Sequence, residues 1–167
     1  MSRFACATLL LLLAGCAAGP SRRMVKLFGG EDNRDLVASP ERVEAFRLRP
    51  PSRVDEATNY NQWPVVGAAV RVPSDVAARF SRGLTSESTY AGDDPKGCKP
   101  VPGYMLRFTG GGRSVDVVFC FECAILFTHR GPEPLWYGNF DPSAKAIAAL
   151  MLQVFPGDPG LKGLAGP

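Results

Sequence analysis

Histidine is nearly absent from this sequence, because His129 is the only one among 167 residues. A Ser/His/Asp triad could therefore form only through His129, and neither the G-x-S-x-G pattern nor the H-E-x-x-H pattern occurs. The glycine-rich run TGGGRSV joins two strand-like segments and opens no helix, so it predicts neither a phosphate loop nor a dinucleotide site. These absences favour a protein that is not an enzyme and has no cofactor.

The sequence also lacks a strong excess of charge and a long apolar run. Without residues 1–15, the 19 basic residues lose Arg3 and become 18, against 16 acidic ones, for a formal charge of +2. Such a balance argues against a nucleic-acid partner, which needs a concentrated basic face. The apolar run at residues 4–13 is about half of the roughly 20 residues that span a bilayer as a helix. Residues 1–15 are therefore predicted to be a signal peptide.

The end of this run, Leu13, Ala14, Gly15 and Cys16, resembles the lipobox of bacterial lipoproteins. In that family the cysteine thiol receives a diacylglycerol, cleavage follows just before it, and the new amino group is usually acylated, for example with palmitate. The resemblance implies lipidation of Cys16 and a stable membrane anchor. Ala17 stands where lipoproteins retained in the inner membrane often carry Asp, which implies the outer membrane, facing the periplasm. The alternative is an ordinary secretory signal with Cys16 left as a thiol.

After the anchor, composition divides the mature chain into three parts. Residues 16–36 are polar and glycine-rich without an apolar period, which predicts a lipid anchor followed by a flexible tether. Arg22, Arg23 and Lys26 in this tether could touch anionic head groups as a minor contribution. Residues 37–156 are predicted to form a single domain, and residues 157–167 a flexible tail.

Local patterns predict an α+β domain. Ser39 and Pro40 favour a short helix over residues 40–48, and a strand is expected at residues 65–72. Ser74 is the expected cap of a second helix, and Asp141, followed by Pro142, that of the last helix. The apolar faces of these two helices are Val76, Ala77, Phe80 and Leu84, and Ile147, Leu150, Met151 and Val154.

The segments YMLRFT and SVDVVFCFECAILFTHRG flank the turn GGGR and predict a central hairpin, and a last strand is expected at residues 135–140. The resulting order α, β, α, β, β, β, α predicts an antiparallel sheet with helices packed on one face.

Three cysteines of the domain pose the main chemical question. Cys120 and Cys123 would point to opposite faces of a straight strand with Cα atoms about 10 Å apart, too far for a mutual disulfide. A hairpin centred on Gly111 makes facing residue numbers sum to about 222, which brings Cys98 within reach of either. An exported protein favours oxidation. We expect Cys98 to bridge to Cys120 or Cys123, with a slight preference for Cys120 on the outer face.

Two sharper alternatives use the same residues. A thioredoxin-like pair needs its first cysteine at a helix start, whereas β-rich residues follow Cys123, and Glu122 and Asp116 disfavour a reactive thiolate at Cys120. A zinc site could instead use four ligands. That ligand set would be Cys98, Cys120, Cys123 and His129.

The stretch from VVGAAVRVP through GCKPVPGYMLRFTGGGRSVDVVFCFECAILF to FDPSAKAIAALMLQVFP is similar to a family of secreted and lipid-anchored bacterial proteins without an assigned activity. Its hallmarks are a cysteine shortly before a strand, a glycine-rich turn and a C-F-x-C strand. The likeness covers roughly residues 60–156 and implies the same fold. The sequence thus predicts a lipid-anchored envelope protein with a structural or binding module, whose protein or small-molecule partner it does not identify; the alternative is a thiol-redox or metal-binding protein.

Overall fold

The computed structural model describes residues 21–50, 63–92 and 94–166. Within these ranges the chain forms one six-stranded antiparallel sheet with the strand order β2-β1-β3-β4-β5-β6, so the predicted α+β class is confirmed. The strands are β1 Arg42–Leu48, β2 Val65–Arg71, β3 Tyr104–Gly110, β4 Arg113–Cys120, β5 Ile125–Arg130 and β6 Glu133–Asn139. The helices are α1 Arg22–Leu27, α2 Glu31–Ala38, α3 Ser74–Leu84, α4 Ala144–Val154 and α5 Pro159–Ala165.

The hairpin β3–β4 forms the centre of the sheet, as its glycine turn predicts. Tyr104 faces Phe119 and Gly110 faces Arg113, so facing residue numbers sum to 223, one more than expected. Alternate residues of the strands, such as Leu106, Val117 and Leu126, are fully buried in a core to which all five helices contribute. The helices therefore cover one face of the sheet, as predicted.

Strand β1 replaces the helix predicted over residues 40–48. Its side chains alternate, with Val43 and Ala45 buried in the core and Glu44 on the opposite face. The pairing partners β2 and β3 flank it on both sides, and this tertiary pairing outweighs the local helix signal of Ser39 and Pro40.

The N-terminal segment is not a tether from residue 21 onward. The Ser21 side chain caps α1 by accepting a hydrogen bond from the Met24 N–H at 3.4 Å. Met24, Leu27 and Phe28 are at most 3 % exposed and belong to the main core. The Thr128 hydroxyl on β5 also donates to the Leu27 carbonyl at the end of α1. The folded unit thus starts about sixteen residues earlier than the predicted boundary at residue 37.

The predicted C-terminal tail is also structured where it is described. Asp158 caps α5 by accepting hydrogen bonds from the N–H groups of Gly160 at 3.0 Å and Leu161 at 3.2 Å. Leu161 is fully buried in the core. The domain therefore extends past the predicted end at residue 156.

Two predicted caps differ from the structure. Pro73 holds the cap position of α3 and Ser74 is its first residue. A 3-10 turn, Asp141–Ser143, precedes α4, and the Asp141 carboxylate pairs with Lys96 rather than capping a helix. The predicted apolar faces of both helices are buried, because the 3.6-residue period does not depend on the cap.

Strand β2 is an edge of the described sheet and is irregular. Ala45 faces Val70 but Arg47 faces Val66, so four residue steps on β2 match two on β1. Gly67 lies within this bulge and has a φ of 75°, which favours glycine. None of the helices in the described ranges is long and apolar enough to cross a bilayer.

Candidate functional site

The two neighbouring cysteines lie at a turn rather than inside a straight strand. Cys120 is the last residue of β4, and residues 121–124 form a turn before β5 begins at Ile125. Ala124 closes the turn with a φ of 48°, a left-handed conformation that few non-glycine residues adopt. The strand-like segment SVDVVFCFECAILFTHRG is therefore two strands joined by a turn.

A disulfide joins Cys98 to Cys123, with Cα atoms 6.0 Å apart. This is one of the two pairings left open by the sequence, and the preference for Cys120 is wrong. The reason is the turn, which carries Cys123 out of the sheet and toward the loop that contains Cys98. Cys120 stays in the sheet.

The loop around Cys98 is fastened to this turn by polar contacts as well. Lys96 Nζ donates to the Cys123 carbonyl at 2.6 Å and pairs with the Asp141 carboxylate at 2.7 Å. The Asn139 side-chain amide donates to the Gly92 and Asp94 carbonyls at 3.0 and 2.9 Å. The disulfide therefore reinforces a loop that already has several attachments.

Cys120 is the free cysteine of the described chain and is fully buried. Its Sγ accepts a hydrogen bond from the Val101 N–H at 3.3 Å, and it packs in a small apolar cluster with Cys123 and Ile125. A thiol without solvent access behaves as a small apolar side chain. Cys120 is therefore a buried thiol that stands outside the disulfide.

A row of charged and polar residues crosses five strands on the face of the sheet opposite the helices. Each member faces the next in the strand register, and the signs alternate until the row reaches an imidazole. In order, the row contains Arg71, Glu44, Arg107, Asp116 and His129. We call it the polar row.

The centre of the polar row is a bidentate ion pair. Arg107 Nε donates to Asp116 Oδ1 at 2.8 Å, and Nη2 donates to Oδ2 at 2.9 Å. The Asp116 side chain is fully buried, while that of Arg107 is 32 % exposed. The guanidinium also lies 5.4 Å from the centre of the Phe46 ring. Two parallel hydrogen bonds and a ring contact hold this arginine in one orientation.

His129 ends the polar row and is buried at 6 % exposure. Among the described residues, neither of its ring nitrogens has a hydrogen-bond partner. Burial lowers the pKa of His129 below its usual value, and the neighbouring Asp116 carboxylate partly opposes this shift. The imidazole is therefore neutral at pH 7. Chemically, the neutral imidazole offers one donor and one acceptor at the buried end of the polar row.

The structure does not assemble the alternative zinc ligands. Cys98 and Cys123 are bonded to each other, so neither is available as a thiolate. His129 faces Asp116, four residues along β4 from Cys120, which is about 13 Å at 3.3 Å per residue. Within the described ranges, no group of three or more His, Cys, Asp or Glu side chains is placed to hold a metal ion.

The polar row is only partly apparent from the sequence. The hairpin register alone nearly predicts its centre, because 107 and 116 sum to 223. The other members do not follow from it, because Glu44 lies in the segment predicted to be a helix and the turn that brings His129 opposite Asp116 has no glycine. Cys16, the predicted lipidation site, lies outside the described residues.

No protein-family model, curated protein or solved structure matches this chain.

Proposed function

We propose that this protein is a lipid-anchored protein of the bacterial cell envelope whose α+β domain serves as a structural or binding module. The observation that carries the proposal is the sequence Leu13-Ala14-Gly15-Cys16 at the end of an apolar run. On this proposal, acylation of Cys16 holds the chain at the outer membrane, facing the periplasm.

The cysteines of the domain support export. The Cys98–Cys123 disulfide suits an oxidising compartment, since the cytosol keeps most thiols reduced. The disulfide closes a segment with a sequence separation of 25, and closing a loop of this size stabilises a fold by about 3.5 kcal/mol. A domain with this reinforcement fits the periplasm better than the cytosol.

We also favour a structural or binding role for the domain over a catalytic one. The buried Asp116 is neutralised by Arg107, and the buried Cys120 has no access to solvent. The thiol-redox alternative would require Cys120 to attack the Cys98–Cys123 disulfide, and burial of the thiol disfavours that step. The metal-binding alternative lacks an assembled ligand set among the described residues.

Mass spectrometry of the mature N-terminus tests the anchor. We expect the chain to begin at Cys16 with a diacylglycerol on the thiol and an acyl chain on the amino group. Cys16→Ser should abolish acylation and leave the precursor uncut or the protein unanchored. Cys6→Ser is the matched control, because it removes another cysteine of the N-terminal segment. This variant should still be acylated and cut as the wild type is. An unmodified N-terminus at a different residue would refute the proposal.

Thiol alkylation separates the module from its redox alternative. In the folded, non-reduced protein we expect peptide mapping to find Cys98 linked to Cys123, and Cys120 to react only after unfolding. Rapid alkylation of Cys120 in the folded state, or a shift of the disulfide to Cys120, would support the redox function instead.

A further inference from the structure

A cleft of about 260 Å³ lies between α1 and β6. Three cations of α1 line it, together with three aromatic rings. These residues are Arg22, Arg23 and Lys26, and Tyr90, Trp136 and Tyr137. We call this the cationic cleft. Among the described residues that line it, three are basic and none is acidic.

Aromatic rings hold two of the three cations at the cleft. Lys26 Nζ lies 3.8 Å from the centre of the Trp136 ring, and the Arg23 guanidinium lies 5.8 Å from that of Tyr90. Arg23 Nη2 also donates to the Ala91 carbonyl. Arg22 is exposed to solvent on the first turn of α1. The charges of Lys26 and Arg23 are therefore held in place by the fold, and Arg22 extends from the same helix.

Trp136 gives the cleft an exposed apolar rim. Its side chain is 41 % exposed, although its partner on the ring face is a cation. Tryptophan next to lysine or arginine is the combination that proteins place at the boundary between lipid and water. In the cationic cleft, the ring of Trp136 can lie at the level where the lipid acyl chains begin, and the cations can contact the lipid phosphate groups.

The position of the cleft along the chain points to the same partner. Only five peptide units separate Cys16 from the capping residue Ser21, and these can span at most about 18 Å. An acyl anchor on Cys16 would therefore keep α1 within that distance of the lipid surface. No part of the described fold is connected to the anchor by a shorter piece of chain.

We propose that the cationic cleft binds the head groups of anionic phospholipids in the leaflet that holds the Cys16 anchor. The inference rests on the proposed lipid anchor, and it assigns the domain a fixed orientation with α1 and β6 against the membrane. The positive charge of the cleft complements the lipid phosphate, and the ring of Trp136 enters the interface.

Vesicle binding by the chain that begins at Ala17 tests the proposal without the anchor. This chain keeps every helix and strand of the described structure. We expect it to bind phosphatidylcholine vesicles that contain phosphatidylglycerol, to bind pure phosphatidylcholine much more weakly, and to dissociate as salt screens the charges. Trp63→Phe leaves Trp136 as the only tryptophan, and its emission should then shift to shorter wavelength on binding.

Charge-matched variants distinguish the cleft from general attraction. Arg22→Gln with Lys26→Gln should lower the partition coefficient about 25-fold, or about fivefold for each cation near an anionic surface. The control is Arg82→Gln with Lys162→Gln, two exposed cations on α3 and α5 whose loss changes the net charge equally. The control should lose less than twofold, and equal melting midpoints should show that both variants fold.

Four outcomes would overturn the inference. Three are equal losses in both double variants, binding that does not depend on phosphatidylglycerol, and an unchanged Trp136 emission on bound vesicles. The fourth is binding of inorganic phosphate by a chain that does not bind vesicles, which would indicate a soluble anion as the ligand. The chain that begins at Ala17 carries no acyl group, so failure of the vesicle assay would refute the lipid-binding cleft but not the anchor. The mass of the mature N-terminus tests the anchor separately.

Discussion

Replacing Arg107 by methionine tests whether the centre of the polar row is a buried ion pair. The change removes both hydrogen bonds to Asp116, at 2.8 and 2.9 Å, and leaves a carboxylate with no solvent exposure. Removing one partner of a buried ion pair costs about 3–5 kcal/mol, because the remaining charge loses its hydrogen-bonded counter-charge. Since the Arg107 side chain is 32 % exposed, we expect the lower end, about 3 kcal/mol.

Urea denaturation at pH 7 measures this cost, with Arg113→Met as the matched control on the same hairpin. Arg113 lies 3.5 Å from Asp32 in a pair whose side chains are 54 % and 87 % exposed. Such exposed pairs contribute about 0.2–1 kcal/mol, so the control should change stability little. The double variant Arg107→Met with Asp116→Leu should recover most of the loss, since it removes the buried carboxylate together with its partner. If Arg107→Met costs no more than Arg113→Met, the pair is not buried as described.

The remaining predictions concern the N-terminal segment and the buried imidazole. Phe28→Ala should cost about 3–5 kcal/mol because Phe28 is fully buried, whereas Val66→Ala, at a site with 45 % exposure, should stay within about 0.5 kcal/mol. If both variants lowered the melting temperature equally, the segment that contains α1 and Phe28 would not be packed in the core as described. For His129, a lowered folded pKa means that the unfolded chain takes up a proton first, so stability should fall as the pH drops below about 6.5. His129→Gln should reduce this slope, which for one group is at most about 1.4 kcal/mol per pH unit; parallel wild-type and variant curves would contradict a buried, neutral His129.

Segments with a strong apolar period could be predicted from the sequence. The hairpin and α4 follow from alternation and from i, i+3, i+4 spacing, and both are where these patterns indicate. The same helical spacing in Met24, Leu27 and Phe28 was a usable signal for α1. We overlooked it because the surrounding glycines and charges match a linker.

Other features depend on contacts that a single sequence does not reveal. Strand β1 has a local helix signal and becomes a strand only because β2 and β3 pair with it. The turn before β5 has no glycine, and Ala124 takes its positive φ in a place that composition does not mark. The disulfide partner and the polar row both depend on this turn and on the register, so neither could be predicted correctly without them.

The bulge in β2 has a consequence for behaviour at high local concentration. A membrane anchor would confine many copies to two dimensions, where side-by-side encounters between domains are frequent. Strand β2 presents Val65 and Val66, each more than 40 % exposed, at an edge of the described sheet, and a flat edge of this kind can recruit a strand from a neighbour. The left-handed Gly67 and the extra residues beside it bend that edge. On the proposed anchored and crowded surface, this bend would interrupt continuous strand addition between neighbouring copies.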